Sequence, residues 1–456
     1  MIHDMPQMNR KKYFFPVLVI LAQTVASLLL TGCDNYLGMG EKADKPLPGK
    51  RISILSKQSL IKPDVAMLGH KIILPAPVYN KDWPQAGGFA NHAMHHMRVG
   101  NTLQKRWSAD IGHGTNGDER LIAPPIAAED RLYTMDSETV VSAHAIKSGA
   151  PIWRTKIKPK DEDEDHINGG LAYEAGRIFA TTGFGQVVAL AAKSGKVLWR
   201  QKVTAPIRSA PTARSNRVFA ITVTNKLYVL NGKTGAILWT HSGIEESTNL
   251  LGGGSPAVDN GIVVVPYSSG ELVALKVENG LELWADSLAG SRRRSASLST
   301  LSAIRGRPII DRGIVFAISN SGQLAAINLR TGQRIWERRI GGTESPWVAG
   351  DYLFVLSNTA NLVALGRLNG RIYWVTALPE WKDPEDKQGK ITWAGPVLAS
   401  NRIILAGSNG ESFSLSPYSG KILGKVEMPD GVTISPIVAQ DSLLFLTDDA
   451  ELVAYR

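Results

Sequence analysis

One short pattern recurs along the chain and constrains its fold more than any other feature. The pattern is a small polar residue, a glycine, three further residues and a tryptophan, as in TGAILW at 234–239. Its glycines recur at an average interval of about 45 residues. They are Gly149, Gly195, Gly235, Gly280, Gly332, Gly370 and Gly420. A repeat of this length that contains four short strand patterns predicts a β-propeller, in which each copy forms one blade.

The number of strand patterns predicts how the ring closes. Third-strand patterns occur eight times, from 140–146 to 452–456, whereas a turn glycine followed by a fourth strand occurs seven times. The segment 103–111 has a fourth-strand pattern around Trp107 and no third strand before it. We therefore predict an all-β fold, an eight-bladed β-propeller over 81–456. This N-terminal strand closes its ring in the last blade, because closure removes exposed strand edges.

The tryptophans of the repeat are predicted to pack between neighbouring blades. Seven of them stand at equivalent positions, and Gly424 occupies the eighth. They are Trp107, Trp153, Trp199, Trp239, Trp284, Trp336 and Trp374. Each can bury roughly 150–250 Å², which is typical of a core position. The alternative, that one or two of them stack on a ligand, does not account for all seven.

The N-terminus has the features of a bacterial lipoprotein. A basic cluster and an apolar stretch lead to LTGC, which ends at Cys33, so residues 1–32 are predicted to be a signal peptide. LTGC resembles the lipobox, in which the cysteine becomes the lipid-bearing N-terminus. A transmembrane anchor that buries Cys33 is the alternative, because the apolar stretch has about the minimum length for a span. Residues 33–80, polar and proline-bearing, are predicted to be a lipidated flexible linker.

Charge and cysteine content exclude several kinds of function. The formal net charge is +10, which favours contact with an acidic surface such as anionic lipid. Nucleic acid is not predicted as a partner, because no basic run is interleaved with aromatic residues. The chain has one cysteine, so it has neither an internal disulfide nor a metal site built from several cysteines.

Two groups of polar residues were weighed as metal sites, and neither has the required ligands. The acidic run 161–165 lacks the glycine and the glutamate that a calcium loop of the EF-hand type needs further along, so a solvated loop is predicted. His92, His95 and His96 have no cysteine or carboxylate nearby in the sequence at ligand spacing. The sequence also contains no nucleotide-binding or hydrolase motif in a strand-to-helix context. We therefore predict no metal, no cofactor and no catalytic residues.

The repeat resembles that of the pyrroloquinoline-quinone (PQQ) propellers. Within this group the chain resembles the BamB family of outer-membrane protein assembly lipoproteins, in its alphaproteobacterial version. The resemblance rests on the lipobox at Cys33, WPQAGG at 83–88, the closing strand at Trp107 and the run 305–356. It implies a non-catalytic lipoprotein scaffold of the β-barrel assembly machinery, which aids the folding and insertion of outer-membrane proteins. It also implies a lipid anchor in the outer membrane, on its periplasmic face.

The resemblance further implies a partner and a contact site. The partner is the BamA-type barrel-insertion subunit, whose periplasmic domains contact the loops that match 246–256 and 298–308 here. We expect Leu250 and Leu251 as apolar anchors and Arg305 as a polar contact. The charges differ from the family pattern, which has an arginine where this chain has Leu251 and an aspartate where it has Arg305. Binding of unfolded outer-membrane proteins is compatible with the same scaffold.

Three alternatives stay open at this point. The first is a PQQ-dependent dehydrogenase-like protein or another ligand-binding periplasmic propeller, although such dehydrogenases have an adjacent cysteine pair that this chain lacks. The second is retention in the inner membrane, which Asp34 favours in enteric bacteria. The third concerns the basic segment 290–308, with Arg292, Arg293, Arg294, Arg305 and Arg307, which is either a docking loop or a solvated loop.

Overall fold

Eight four-stranded antiparallel sheets follow one another along the chain, each formed by strands that are neighbours in the sequence except in the last sheet. The computed structural model describes residues 61–100, 102–290 and 301–456. The sheets are the blades of a propeller, so the predicted all-β, eight-bladed fold is confirmed. Within the described residues, no helix is long and apolar enough to span a bilayer.

Strand β1 (Lys105–Asp110) precedes the blades in the sequence, and four complete blades follow it. Blade 1 contains β2 (Ile126–Ala128), β3 (Arg131–Met135), β4 (Val140–Ala145) and β5 (Pro151–Lys156). Blade 2 contains β6 (Gly170–Glu174), β7 (Arg177–Thr182), β8 (Gln186–Ala191) and β9 (Val197–Lys202). Blade 3 contains β10 (Thr212–Arg214), β11 (Arg217–Ile221), β12 (Lys226–Asn231) and β13 (Ile237–Ser242). Blade 4 contains β14 (Ala257–Asp259), β15 (Ile262–Pro266), β16 (Glu271–Lys276) and β17 (Glu282–Ser287).

The remaining blades repeat this order, with a short hairpin between blades 6 and 7. Blade 5 contains β18 (Ile309–Asp311), β19 (Ile314–Ile318), β20 (Leu324–Asn328) and β21 (Arg334–Arg338). Blade 6 contains β22 (Trp347–Ala349), β23 (Tyr352–Leu356), β24 (Asn361–Gly366) and β25 (Ile372–Ala377). The hairpin is β26 (Trp381–Asp383) and β27 (Gln388–Lys390). Blade 7 contains β28 (Trp393–Ala399), β29 (Arg402–Gly407), β30 (Glu411–Leu415) and β31 (Ile422–Glu427), and blade 8 contains β32 (Ile437–Ala439), β33 (Ser442–Leu446) and β34 (Glu451–Tyr455).

The side-chain pattern explains why each strand occupies its place in a blade. The second and third strands are apolar on both sides and almost fully buried, as in β15, whose five residues are all buried. Both of their faces pack against neighbouring blades, so alternation is not required. The fourth strands alternate between exposed and partly buried residues, as in β13. Their exposed positions form the outer wall of the ring.

The ring closes where the sequence predicts. Strand β1 pairs antiparallel with β34, and Trp107 stands opposite Ala454. The fourth strand of blade 8 is therefore supplied by the segment before blade 1. This pairing leaves no gap in the hydrogen-bonded order of the last blade.

Each repeat tryptophan packs on the turn glycine of the next blade. A Cβ added to Gly332 would lie 2.6 Å from Trp284 of the preceding blade, so only glycine leaves room for the indole. The same contact joins Trp107 to Gly149, and the other five pairs are Trp153–Gly195, Trp199–Gly235, Trp239–Gly280, Trp336–Gly370 and Trp374–Gly420. The indole N–H also donates to a backbone carbonyl of the next blade, as from Trp284 to Leu329 at 2.8 Å. The predicted packing between blades is thus observed.

The exception at Gly424 has a structural reason. A tryptophan at this position of blade 7 would need a turn glycine in blade 8. Blade 8 has no turn between its third and fourth strands, because its fourth strand, β1, comes from the segment before blade 1. We call the junction of β1 and β34 the seam. Gly424 has no atom within 4 Å of the place where a Cβ would stand. The seam and the missing tryptophan are therefore two aspects of one arrangement.

Two faces of the ring can be distinguished by the course of each blade. In each blade the chain enters the first strand from the loop that connects it to the preceding blade. The first strand ends on the opposite face of the ring, so the turn into the second strand lies on that face. The turn from the third strand to the fourth, with the repeat glycine, lies there as well. We call this side the turn face. The side with the loops between blades is the mouth face.

Residues 80–99, here called the inner segment, run once around the inside of the ring. The segment forms hydrogen bonds with the first strand of every blade. Its partners on blades 8, 1, 2, 3, 4, 5, 6 and 7, in that order, are Val438, Ala127, Tyr173, Ala213, Val258, Ile310, Trp347 and Leu398. Trp83 also stacks on Trp347 with ring centroids 6.3 Å apart. WPQAGG is therefore part of the packing at the centre of the ring.

Residues 61–79, here called the strap, lie against the blades as well. The strap contains the one 3-10 helix of the described residues, Val65–Met67. Ile72 belongs to the same core cluster as residues of blades 6, 7 and 8. The compact unit begins at Ile61, which corrects the predicted linker 33–80, because residues 61–80 obtain backbone and apolar contacts that their composition does not reveal. The predicted signal peptide 1–32 and the rest of the linker lie outside the described residues.

Candidate functional site

A concavity opens at the mouth face. It has a volume of about 490 Å³, which is in the range of sites that bind small ligands or side chains. All eight loops that lead into a first strand contribute to its wall, and Ala86 of the inner segment contributes as well. We call this concavity the channel mouth. Its wall is built from loops on a rigid ring, an arrangement that typically carries binding residues.

The three predicted contact residues meet at the channel mouth. Leu250 and Leu251 lie in the loop before β14, and Arg305 lies in the loop before β18. The Nε of Arg305 donates a hydrogen bond to the backbone oxygen of Leu251 at 3.0 Å. Leu251 keeps 40% of its surface exposed, whereas Leu250 is half-buried. The structure therefore brings these three residues together, and Leu251 is the more exposed of the two leucines.

Glu344 is a further residue of this cluster, and the sequence analysis did not identify it. Its carboxylate accepts a hydrogen bond from Arg305 at 3.1 Å through Oε1 and one from the Ser435 hydroxyl at 3.1 Å through Oε2. Arg305 thus connects the loops of blades 4 and 6, and Glu344 extends the connection to blade 8. Much of the hydrogen-bonding capacity of Arg305 is used inside the protein. Arg305 therefore stabilises the wall of the channel mouth by bonding to Leu251 and Glu344.

The channel mouth has an excess of positive charge. Four arginines line it, Arg120, Arg208, Arg305 and Arg307, against the two carboxylates of Glu344 and Asp448. Burial lowers the pKa of Arg307, whose guanidinium reaches the Ser345 hydroxyl at 3.4 Å. Burial also raises the pKa of Asp448, which disfavours its charged form. An acidic or dipolar surface is the complementary partner for such a wall.

The two candidate docking loops, 246–256 and 290–308, differ in how much of each lies within the described residues. For 246–256 the whole loop is described, and Asn249 fixes it by donating from Nδ2 to the Val223 oxygen at 2.8 Å. For 290–308, Arg292, Arg293 and Arg294 lie outside the described residues. The described end of this segment, from residue 301, reaches the channel mouth through Arg305 and Arg307.

The histidines weighed as metal ligands have structural contacts in the inner segment. The Nδ1 of His92 lies 2.8 Å from the Pro308 oxygen, and the Nδ1 of His96 lies 2.6 Å from the Pro75 oxygen. The Nε2 of His95 lies 3.4 Å from Asp311. Burial lowers the pKa of His92 to about 3, so this ring is neutral near neutral pH. No group of three metal-ligating side chains occurs in the part of the chain that the structure describes.

The acidic run 161–165 lies in the loop between blades 1 and 2. Lys158 pairs with Asp165 at 3.0 Å and donates to the Asp163 backbone oxygen at 2.8 Å. The other four acidic residues, 161–164, are exposed and have no ion pair within the described residues. The arrangement is that of a solvated loop.

Comparison with known proteins identifies the family. The family described as "Outer membrane protein assembly factor BamB" matches residues 136–376. The BamB protein of Shigella dysenteriae is 30% identical over 348 residues, which cover 75% of this chain and 86% of that protein.

The chain belongs to the BamB family. The crystal structure of BamB from Moraxella catarrhalis superposes with a TM-score of 0.66 at 19% identity, over 78% of this chain and 100% of that one. The quinohemoprotein alcohol dehydrogenase of Comamonas testosteroni superposes with a TM-score of 0.62 at 12% identity, over 82% and 80% of the two chains. At these identities the two structures share the propeller fold with this BamB-family chain.

Proposed function

We propose that this protein is a non-catalytic lipoprotein subunit of the β-barrel assembly machinery. In this role it binds the periplasmic domains of the BamA-type barrel-insertion subunit and aids the folding and insertion of outer-membrane proteins. Family membership and the function for which the relatives are named support the assembly role. The lipobox supports a lipid anchor at Cys33 and a position on the periplasmic face of the outer membrane.

One observation carries the proposed contact with the barrel-insertion subunit. Leu250, Leu251 and Arg305 come from two loops that are 54 residues apart in sequence, yet the Arg305 side chain bonds to the backbone of Leu251. The result is an apolar edge beside a basic wall. In such an arrangement, burial of the apolar group supplies binding energy, and the guanidinium groups supply orientation and specificity.

Substitution of the two leucines tests this contact. The Leu250→Asp and Leu251→Asp double variant places two charges on the apolar edge, and we expect its affinity for the purified periplasmic domains of the barrel-insertion subunit to fall at least tenfold. The matched control is Ile422→Asp with Leu423→Asp, since these two side chains are 50% and 58% exposed on the outer wall of blade 7. The control should bind like the unsubstituted chain.

Two results would contradict the proposal in different ways. Equal binding by the leucine variant and the unsubstituted chain would remove this edge as the contact. Failure of the unsubstituted chain to bind the periplasmic domains at all would remove the partner. Circular dichroism and thermal unfolding of each variant show whether the fold is intact.

The position of the anchor needs its own experiment. Asp34 follows Cys33, and the proposed outer-membrane location excludes retention at the inner membrane. Separation of the two membranes of the native host on a density gradient should place the protein with the outer-membrane fraction. Substitution of Asp34 by Ser serves as the comparison, and an inner-membrane location that this substitution reverses would overturn the proposal.

A further inference from the structure

The most exposed apolar side chains of the described residues lie in one short stretch, the strap. Val65, Ile73, Val78 and Leu68 are 83%, 78%, 67% and 64% exposed, and no other large apolar side chain among the described residues reaches these values. Single exposed apolar residues are ordinary on protein surfaces, but a group confined to one segment marks an interaction surface. The question is therefore which surface covers the strap.

The strap is held firmly on the turn face. The backbone N–H of Asp64 donates to the Ile372 oxygen at 2.9 Å, and the Asp64 carboxylate accepts from the Ile372 N–H at 2.7 Å. Ile73 donates its N–H to the Tyr352 hydroxyl at 3.2 Å. Ile372 and Tyr352 are the first residues of β25 and β23, which begin at the turn face. The four apolar side chains are thus presented by a fixed backbone.

The repeat turns of the turn face carry an excess of positive charge. These turns, from two residues before each glycine to one residue after, contain seven cations and one carboxylate. The cations are Lys147, Lys193, Lys196, Lys233, Arg330, Arg371 and Lys421, and the carboxylate is Glu278. The turns from first to second strand add one cation, Arg312, and four carboxylates, Glu129, Asp130, Asp351 and Asp441, so both sets of turns together keep an excess of three cations. Apolar side chains rimmed by cations fit an anionic lipid surface.

The strap is the described part of the chain that follows the proposed anchor most closely. Ile61 comes 28 positions after Cys33, and a chain of that length reaches at most about 100 Å. The proposed lipid anchor therefore keeps the strap within about 100 Å of a bilayer. Under this restriction even a weak surface interaction becomes effective, because the second contact is intramolecular.

We propose that the turn face is a membrane-binding surface for anionic phospholipid. The strap places Val65, Leu68, Ile73 and Val78 in the interfacial region of the bilayer, and the basic repeat turns lie over the headgroups. The channel mouth then points away from the membrane, toward the aqueous periplasm. This proposal uses the lipid anchor at Cys33 to bring the surface to the membrane. It does not depend on binding of the barrel-insertion subunit.

Vesicle binding by the mature chain without lipid provides the first test. The chain from residue 34 onward should co-sediment with vesicles of phosphatidylcholine that contain phosphatidylglycerol, and less with pure phosphatidylcholine. Added salt should weaken binding. Val65→Asp with Ile73→Asp should reduce binding at least tenfold, and Lys193→Gln with Lys233→Gln should reduce it about fivefold per charge. Ile244→Asp and Lys387→Gln are the controls, because Ile244 is 61% exposed in the loop after β13 and Lys387 lies in the hairpin before blade 7, both on the mouth face.

The orientation can be read from a single label. Since Cys33 is the only cysteine, the chain from residue 34 accepts one new cysteine at a chosen site. An environment-sensitive dye on Ile73→Cys should shift to an apolar spectrum when anionic vesicles are added, whereas the same dye on Leu251→Cys should not. The proposal is overturned if the unsubstituted chain ignores anionic vesicles, if the strap and control variants bind alike, or if the two labels respond equally. Loss of partner binding by the strap variants without loss of vesicle binding would assign the strap to a protein instead.

Discussion

Removal of one repeat tryptophan should destabilise the whole ring, and Trp284 is the most informative choice. Its side chain is 7% exposed, packs on the turn glycine Gly332 of the next blade, and donates to the Leu329 oxygen. Trp284→Ala removes roughly 150–250 Å² of burial at about 25 cal/mol per Å² and leaves the carbonyl without its donor. We expect the free energy of unfolding to fall by about 4–5 kcal/mol.

Urea unfolding followed by tryptophan fluorescence and by circular dichroism measures this change. Coincidence of the two transitions would show that the blades unfold together, which the two-state analysis requires. Gly424→Trp is the matched comparison, because blade 8 has no turn glycine to receive the new indole. Its effect should remain within about 0.5 kcal/mol. The packing of a tryptophan on the next blade's turn glycine would be refuted as a source of stability by either of two results. One is a cost below about 1 kcal/mol for Trp284→Ala, and the other is a clear stabilisation by Gly424→Trp.

Three further predictions follow from the contacts of the channel mouth and the inner segment. Arg305→Ala should increase hydrogen exchange in 246–256 and weaken binding to the barrel-insertion subunit several-fold, because Leu251 and Glu344 lose a shared partner; unchanged exchange would contradict this role. The pKa of His92 is about 3 in the folded state and near 6.5 when unfolded. Below pH 6.5 only the unfolded state binds the proton, so the free energy of unfolding falls with pH, by about 2 kcal/mol at pH 5. Above pH 6.5 this loss is absent. His92→Asn should reduce this acid sensitivity in urea titrations at pH 7 and 5, and equal sensitivity would assign it to other groups. Pyrroloquinoline quinone with calcium should give no dye reduction with alcohols or sugars, and activity would overturn the non-catalytic proposal.

The sequence predicted the parts of the fold that are built from the repeat. It did not predict the paths of segments that occur only once. Strand number, the seam at Trp107 and the packing of the indoles all follow from a pattern that occurs many times, so each copy supports the others. The inner segment occurs once and bonds to every blade through backbone and side-chain groups. It has neither helical nor strand periodicity. Its path around the ring is determined by the eight blades together, which no local pattern encodes.

The candidate site shows the same division. Leu250, Leu251 and Arg305 were placed by resemblance to family loops, and the structure brings them together. Glu344 was missed because it lies about 40 residues further along, in a loop without any motif. Its role arises from the ring, which places the loops before β14, β18, β22 and β32 around one opening. The strap was assigned to a linker because prolines and scattered charges are common to linkers and to segments that lie along a surface.

The seam also determines when the protein can be finished. Strand β1 and the inner segment are synthesised first, but β1 needs β34 as its neighbour and the inner segment needs all eight blades. While about 350 further residues are made, the early segment cannot take its final place. Completion of the ring therefore always comes last, after the final blade has been made.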